Sequence, residues 1–500
     1  MLLTTKTALP PDNTAVKLNK KLTYLLALFL ILDAAYTFYQ LYYLPHDGDM
    51  APVILPVKWY ARVLEDPLGF SVFTSGEKYA APNRFFVHWS MSTYFKTVPF
   101  FLQHFTDPLS ASYLASALAR WGTHLLLLWL LGTYITGTGK FWKPKFILAA
   151  AIIVPLFQTH GAFYRLSIIS GSITYMFFYA FAVAVLMLFF LPFYRAFYHN
   201  KPLKFNFWHH LLLLILTLIV PLNGPLNAPL VLIICPSVLL YLWWQHFRKN
   251  EAKNLISKTL KAIQAIPKPV LFYFIFISLV SLYSFYLGTF NIENDYSVPL
   301  LQRYKLLPTG LNQQLFYGFR HEFGPAFSLI FLTLIVNAIL LRQDLVTGKR
   351  ILKMLGVALI FCAIYVLLLP LGGYRHYRPY IIVNHTFLPA YLVLVYFFGL
   401  TCWHILLNLN FRYKKLYIAG LVLFAIIFSS AETPDHTAYN CEKAALETII
   451  NSPEQHVSLE TDCTVMFWEK ITWPGNSEAQ GKLLQYWGAT KDAKTYTTGK

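Results

Sequence analysis

Long apolar runs separated by short basic stretches dominate the 500-residue chain. About 18–20 apolar residues suffice for a helix to cross a ~30 Å hydrocarbon core. Eleven segments approach or meet that length: 22–44, 112–136, 145–160, 171–193, 207–222, 226–246, 269–290, 323–342, 351–371, 383–407 and 414–430. Segments 145–160 and 207–222 are short, which suits tilted or interrupted helices; 207–246 also reads as a hairpin that fails to cross. The pattern predicts an all-α polytopic membrane protein with about eleven transmembrane helices. Residues 1–21 form a cytoplasmic N-terminal segment, 22–430 the membrane domain and 431–500 a polar tail.

The joints between the runs alternate in character. Lys140, Lys143 and Lys145, then Arg195, Lys201 and Lys204, then six lysines and arginines from Arg248 to Lys268, mark one set of loops. Arg342, Lys349, Arg350 and Lys353, followed by Arg412, Lys414 and Lys415, continue it. Short loops rich in Lys and Arg stay in the cytoplasm, so the other set, and the tail, are expected outside. Lys6, Lys17, Lys20 and Lys21 ahead of an apolar run resemble a secretory signal. That run is too long for one and is interrupted by Asp33, so it reads as a retained first helix.

The outer segments differ in kind. The first, 45–111, contains amphipathic stretches at 59–64 and 85–105 that suit helices lying in the interface. Segment 291–322 carries Glu293, Asp295, Arg303, Lys305, Arg320, His321 and Glu322, and loop 372–380 packs Arg375 and Arg378 among Tyr374, Tyr377 and Tyr380. A turn at 222–229 is rich in Asn, Gly and Pro.

Composition narrows the function classes. Charged residues make up 13% of the chain, about half the share of a soluble domain. The net charge of +18 sits in loops that set topology, since the tail holds ten acidic against six basic residues. No nucleic acid is therefore expected as a partner. Cys441 and Cys463, in a tail placed in an oxidising compartment, suit a disulfide. Cys235, Cys362 and Cys402 fall in apolar spans and behave as small hydrophobes. Phosphate-loop, nucleophile-elbow and His-Glu-x-x-His motifs are absent from the sequence.

Candidate chemistry gathers outside. Asp47-Gly48-Asp49 directly follows the first span; a carboxylate there can take a proton from an acceptor hydroxyl or hold a divalent cation such as magnesium or manganese against phosphate. If the loop is extended, the spacing of two sends the pair to opposite faces, one catalytic and one structural. The alternative is a solvated Asp-Gly turn. Arg375 and Arg378 suit a lipid phosphate, with Tyr374 beside them; the alternative is anchoring to phospholipid headgroups. Arg165, Arg320 and His321 are further substrate-binding candidates, each equally readable as part of a surface ion pair. Asp33, mid-span, is costly in lipid and expected to face the bundle interior. Asn223 and Asn227 suit capping, Glu65 and Asp66 a turn.

An acidic motif just past the first helix, a long first outer loop with interfacial helices and an outward C-terminal segment together resemble the GT-C superfamily of integral-membrane glycosyltransferases. Loop 372–379 is similar to an arginine-containing outer loop of bacterial members. The resemblance implies a polyprenyl-phosphate-linked sugar as donor, membrane lipids as neighbours, and Asp47 or Asp49 as general base or metal contact. Arg375 and Arg378 would then sit on the leaving phosphate, in a bacterial inner membrane with an extracytoplasmic active face. The family's second acidic position has its nearest counterparts in Glu293 and Asp295. Three alternatives stay open: a glycan polymerase or ligase with a diphosphate-linked donor, a flippase centred on Asp33, and a scaffold acting through its tail.

Overall fold

The computed structural model describes residues 18–251, 254–294, 298–313, 324–372 and 380–499. Each of the eleven apolar segments contains a helix, though not over its full length: 145–160, for example, is helical only to Leu156. Seven helices among these residues are long and apolar enough to cross a membrane: Lys20–Tyr42, Pro108–Thr136, Ile173–His199, Asn227–Lys249, Lys268–Gly288, Thr347–Leu371 and Asn384–Asn408. Pro144–Leu156, Phe207–Leu222 and Ala326–Leu341 are shorter apolar helices, and Lys414–Ser430 precedes the tail. The molecule is an all-α membrane protein.

Local chemistry sets the helix ends. Asp107 accepts from Ser110 N at 2.9 Å ahead of Pro108, and Gly137 closes the same helix in the left-handed region at φ 74°. Proline at the first turn lacks an N–H that would go unsatisfied, and glycine tolerates positive φ without a Cβ clash. Ile173–His199 contains a π-helical turn, Met176–Phe181. Such turns are rare and often occur at functional sites.

Helices Pro108–Thr136 and Asn384–Asn408 form the centre, each with most of its length buried. Lys20–Tyr42 packs on Pro108–Thr136 and leaves Tyr24, Leu25, Ile31 and Leu32 exposed. Leu279, Leu332, Ile360 and Leu423 are exposed on other helices in the same way. An apolar mantle this extensive suits lipid rather than water. Inside it, Asn337 donates to Thr401 Oγ1 at 2.8 Å and accepts from Tyr417 OH at 2.7 Å. Polar side chains of this kind join helices where apolar packing gives no preference over lipid.

The segments expected outside gather at one end. Tyr60 OH donates to Glu293 Oε1 at 2.7 Å, Ala81 N donates to Asn291 Oδ1 at 2.9 Å, and Gln103 Nε2 donates to the Trp487 carbonyl at 2.8 Å. The basic loops meet at the other end, where Arg350 donates to the Phe197 and Tyr198 carbonyls and Trp403 donates to that of Lys145. The stretches expected to be interfacial fold into Lys58–Glu65, Phe85–Phe95 and Val98–Leu102.

The tail is a folded cap. Helix Thr437–Asn451, helix Glu478–Tyr486 and a two-stranded parallel sheet, β1 (His456–Leu459) and β2 (Thr495–Thr498), surround buried Trp487 and Tyr496, and Cys441 is bonded to Cys463. Lys201 lies beyond the far end of Ile173–His199, whereas Lys470 lies in the cap. An impermeant maleimide should therefore label Lys470→Cys from one side of sealed vesicles and Lys201→Cys only from the other. Labelling of both from one side would break this end-to-end division.

Candidate functional site

The Asp47–Asp49 segment is a tight turn, which corrects the extended geometry expected from the sequence. Asp49 N donates to Asp47 Oδ1 at 3.0 Å, closing an Asx turn. Asp47 is buried and accepts three more hydrogen bonds: from Ser172 Oγ at 2.7 Å, Thr174 N at 2.9 Å and Thr174 Oγ1 at 2.8 Å. Both its oxygens are committed to holding the turn against the start of Ile173–His199. Of the pair, Asp47 is the structural member.

A second layer fixes the turn from behind. Glu442, fully buried on Thr437–Asn451, accepts from His46 N at 2.8 Å, Tyr113 OH at 2.7 Å and Met466 N at 2.9 Å. His46 stacks on Tyr113 with ring centroids 4.2 Å apart and bonds Ser112 Oγ through Nε2. Arg120, also fully buried, is the cation that feels both Asp47 and Glu442, and its Nη2 donates to the Gly171 carbonyl at 2.6 Å. Burial pushes the Glu442 carboxyl up to about 7, against the opposing pull of its donors. Burial, with Arg120 assisting, pushes His46 down to about 3, so its ring stays neutral. The cap also covers the turn directly: a Cβ on Gly48 would come within 2.7 Å of Trp468 Cδ1 and 2.8 Å of Trp468 N.

Asp49 faces the other way. It lines a small cavity of about 50 Å³ with Tyr60, Arg84, His88, Tyr179 and Glu293, room for a water or two. Glu293 is placed by the 291–293 turn, in which Asn291 Oδ1 accepts from Glu293 N and from Ala81 N. Arg84 approaches Glu293 at 4.0 Å. His88 is buried, burial pushes it down to about 3, and its Nε2 has no protein hydrogen-bond partner.

Two larger cavities flank this one and share its walls. A cavity of about 660 Å³ includes Tyr175 and Tyr179 with His160, Tyr164, Asn384, His385 and Asp435. A groove of about 630 Å³ takes Arg84 and Tyr179 from the small cavity, and adds Arg303 with apolar residues such as Leu226, Ile233, Phe285 and Leu368. Tyr179, on the π turn, borders all three. Arg303 is held by the Val298, Pro370 and Gly372 carbonyls, the last at 3.0 Å.

The other sequence candidates sort as follows. Tyr374, Arg375, Arg378, Arg320, His321 and Asp295 lie outside the described residues. Gly372 and Tyr380, which bracket the Arg375 loop, both line the apolar groove. Arg165 belongs to the turn Tyr164–Leu166, whose Tyr164 lines the 660 Å³ cavity. Asp33 feels Glu432 at the rim and lines none of the three cavities. Burial pushes Glu432 up to about 8 while it accepts from Thr159 N. Asp66 caps Phe70–Ser75 through Phe70 N and Ser71 N. Asn227 bridges the Ala182 and Val220 carbonyls rather than capping its helix. A cation held between Asp47 and Asp49 does not fit, because Asp47 has no uncommitted oxygen, and no group of three metal-type side chains occurs among the described residues.

Sequence reading missed Arg84, His88, Arg120, Arg303 and Glu442. Arg120 carried a signal, since arginine inside an apolar span is costly unless partnered. Neither a family model nor a curated protein matches this chain.

Removing the Glu442 carboxylate strands three donors, each worth about 1–3 kcal/mol when left buried and unsatisfied. Glu442→Ala should destabilise the detergent-solubilised protein by about 3–5 kcal/mol, the range for breaking a buried charged cluster. Because the folded state raises the Glu442 pKa from 4.5 to about 7, its contribution is full below the unfolded value and fades as pH rises through about 7. Between pH 6.5 and 8.5 the melting temperature of the wild type should fall more steeply than that of Glu442→Gln. Parallel curves would show that this carboxyl does not titrate with folding.

Proposed function

We propose that the chain is a membrane glycosyltransferase that moves a sugar from a polyprenyl-phosphate donor to an acceptor hydroxyl at the extracytoplasmic face, with Asp49 as general base. One observation carries this reading: an apolar groove whose wall includes Arg84 and Arg303, and a second open cavity, both share walls with a single carboxylate-lined chamber. The groove suits a polyprenyl chain. Arg84 and Arg303, with Arg375 and Arg378 of the adjoining loop, suit its phosphate, since guanidinium stays charged in a partly dry site and pairs with phosphate oxygens in a fork.

The chemistry follows from that layout. The acceptor hydroxyl attacks the anomeric carbon, its proton passes to the Asp49 carboxylate, and the bond from the anomeric carbon to the phosphate oxygen breaks. The electron pair leaves with polyprenyl phosphate, and arginines beside the groove stabilise the charge that develops there. Preorganised charge of this kind is usually the largest catalytic contribution. Asp47 acts one step removed, holding the Asp49 backbone in register. No step is routed through a divalent ion.

Asp49→Asn should lower kcat for transfer from membrane-borne polyprenyl-phosphate sugars by about 10²–10⁴-fold, with the melting temperature unchanged. Asp47→Asn should lower the melting temperature as well, because it removes an acceptor from a four-bond cluster. Undiminished transfer in Asp49→Asn, or movement of lipid-linked sugar across vesicles with no covalent product, would overturn the assignment and favour a ligase or a flippase.

A further inference from the structure

We infer that the 660 Å³ cavity is a saccharide-binding site, so the acceptor is the non-lipid, sugar end of a glycan. This rests on the transferase reading for its consequence, but its own basis is separate. The cavity volume falls within the 300–1,000 Å³ typical of small-molecule sites and accommodates a few sugar rings.

The wall chemistry selects among ligand classes. Tyr175 and Tyr179 both pack on His385, with centroids at 4.5 and 5.2 Å, and Trp468 of the cap stacks on Tyr175 at 5.3 Å with 19° between planes. This aromatic floor offers flat faces on which the C–H side of a pyranose ring can lie. Around it stand Asp435, Asn384 and His160, the side-chain types that grip vicinal hydroxyls: a carboxylate accepts two O–H bonds and an amide both donates and accepts. Hydrogen bonds from Thr437 hold the Asp435 carboxyl below its usual range, and burial pushes the His160 ring down despite Asp435 beside it.

The alternatives fit less well. An acyl chain would have to bury against His160, His385, Ser167, Ser170 and Asn384 as well as Leu44, Ile168 and Leu388 here, whereas the neighbouring groove offers it a longer run of leucine, isoleucine and proline. A peptide in extended form recognises an open strand edge, and the two described strands, β1 and β2, lie in the cap and not on this wall. A phosphate would meet Asp435, the one carboxylate on the wall among the described residues. The shared Tyr175 and Tyr179 place a ring on this floor beside the Asp49 chamber, where one hydroxyl would reach the base.

Saturation-transfer NMR on the full chain in lipid nanodiscs tests this without any donor. The probes are methyl glycosides of glucose, galactose, mannose and N-acetylglucosamine, with the peptide Gly-Ser-Gly and glycerol 3-phosphate as comparators. At least one glycoside should receive saturation on its ring-face protons, while the comparators stay at the level of empty nanodiscs. Tyr164→Ala and Asn384→Ala, at positions away from the Asp49 chamber, should each cut that signal at least fivefold with the melting temperature retained. Asp49→Asn should leave it intact, so binding and transfer fail independently. The inference is overturned if no glycoside is saturated, if either comparator matches the glycosides, or if both variants keep the full signal. Transfer onto a peptide or a lipid hydroxyl would also overturn it while leaving the transferase standing.

Discussion

The buried carboxylate of Glu442 is the constraint on which the site depends. It takes its three donors from the first loop, the helix Pro108–Thr136 and the cap, and so ties all three together at one carboxylate. A fully buried charge is tolerable only when its lone pairs are satisfied and a counter-charge is near. Arg120 supplies that charge from inside the bundle, and it faces Asp47 as well. Loss of any one member leaves the others buried and uncompensated, which gives the cluster a single arrangement.

From this anchor the two aspartates acquire opposite fates. Asp47 spends every lone pair on backbone and hydroxyl donors, while one peptide unit later the Asx turn directs Asp49 toward Arg84, His88 and Glu293. Two residues of sequence thus separate a scaffold carboxylate from one that lines a cavity. The same economy appears at Tyr179: a single π turn in an otherwise α-helical segment sets one ring against three cavities.

Legibility in the sequence followed the range of the interaction. Apolar runs report on a solvent, so the helices were visible in the pattern, and basic loops grouped the ends correctly. The geometry of the Asp47–Asp49 turn was not legible locally, because it depends on whether Ser172 and Thr174 are there to receive the carboxylate. Glu442 looked like any polar residue of a short amphipathic helix, since its partners lie 396 residues away at His46 and 24 away at Met466. Arg84 drew no reading, and Arg303 stood only among the charges of segment 291–322, because nothing local tells a groove-lining guanidinium from a solvated one.

The separation of His46 and Glu442 has a further consequence for biogenesis. Everything needed to form the membrane helices is synthesised before the residue that locks the first loop, so during translation the chamber stays unfinished while the bundle is already inserted. Only when the final domain has left the ribosome does the last acceptor arrive. A chain cut short anywhere ahead of that helix would keep its membrane helices but lack the acceptor that fixes the first loop, which makes completion of the polypeptide itself the event that finishes the chamber.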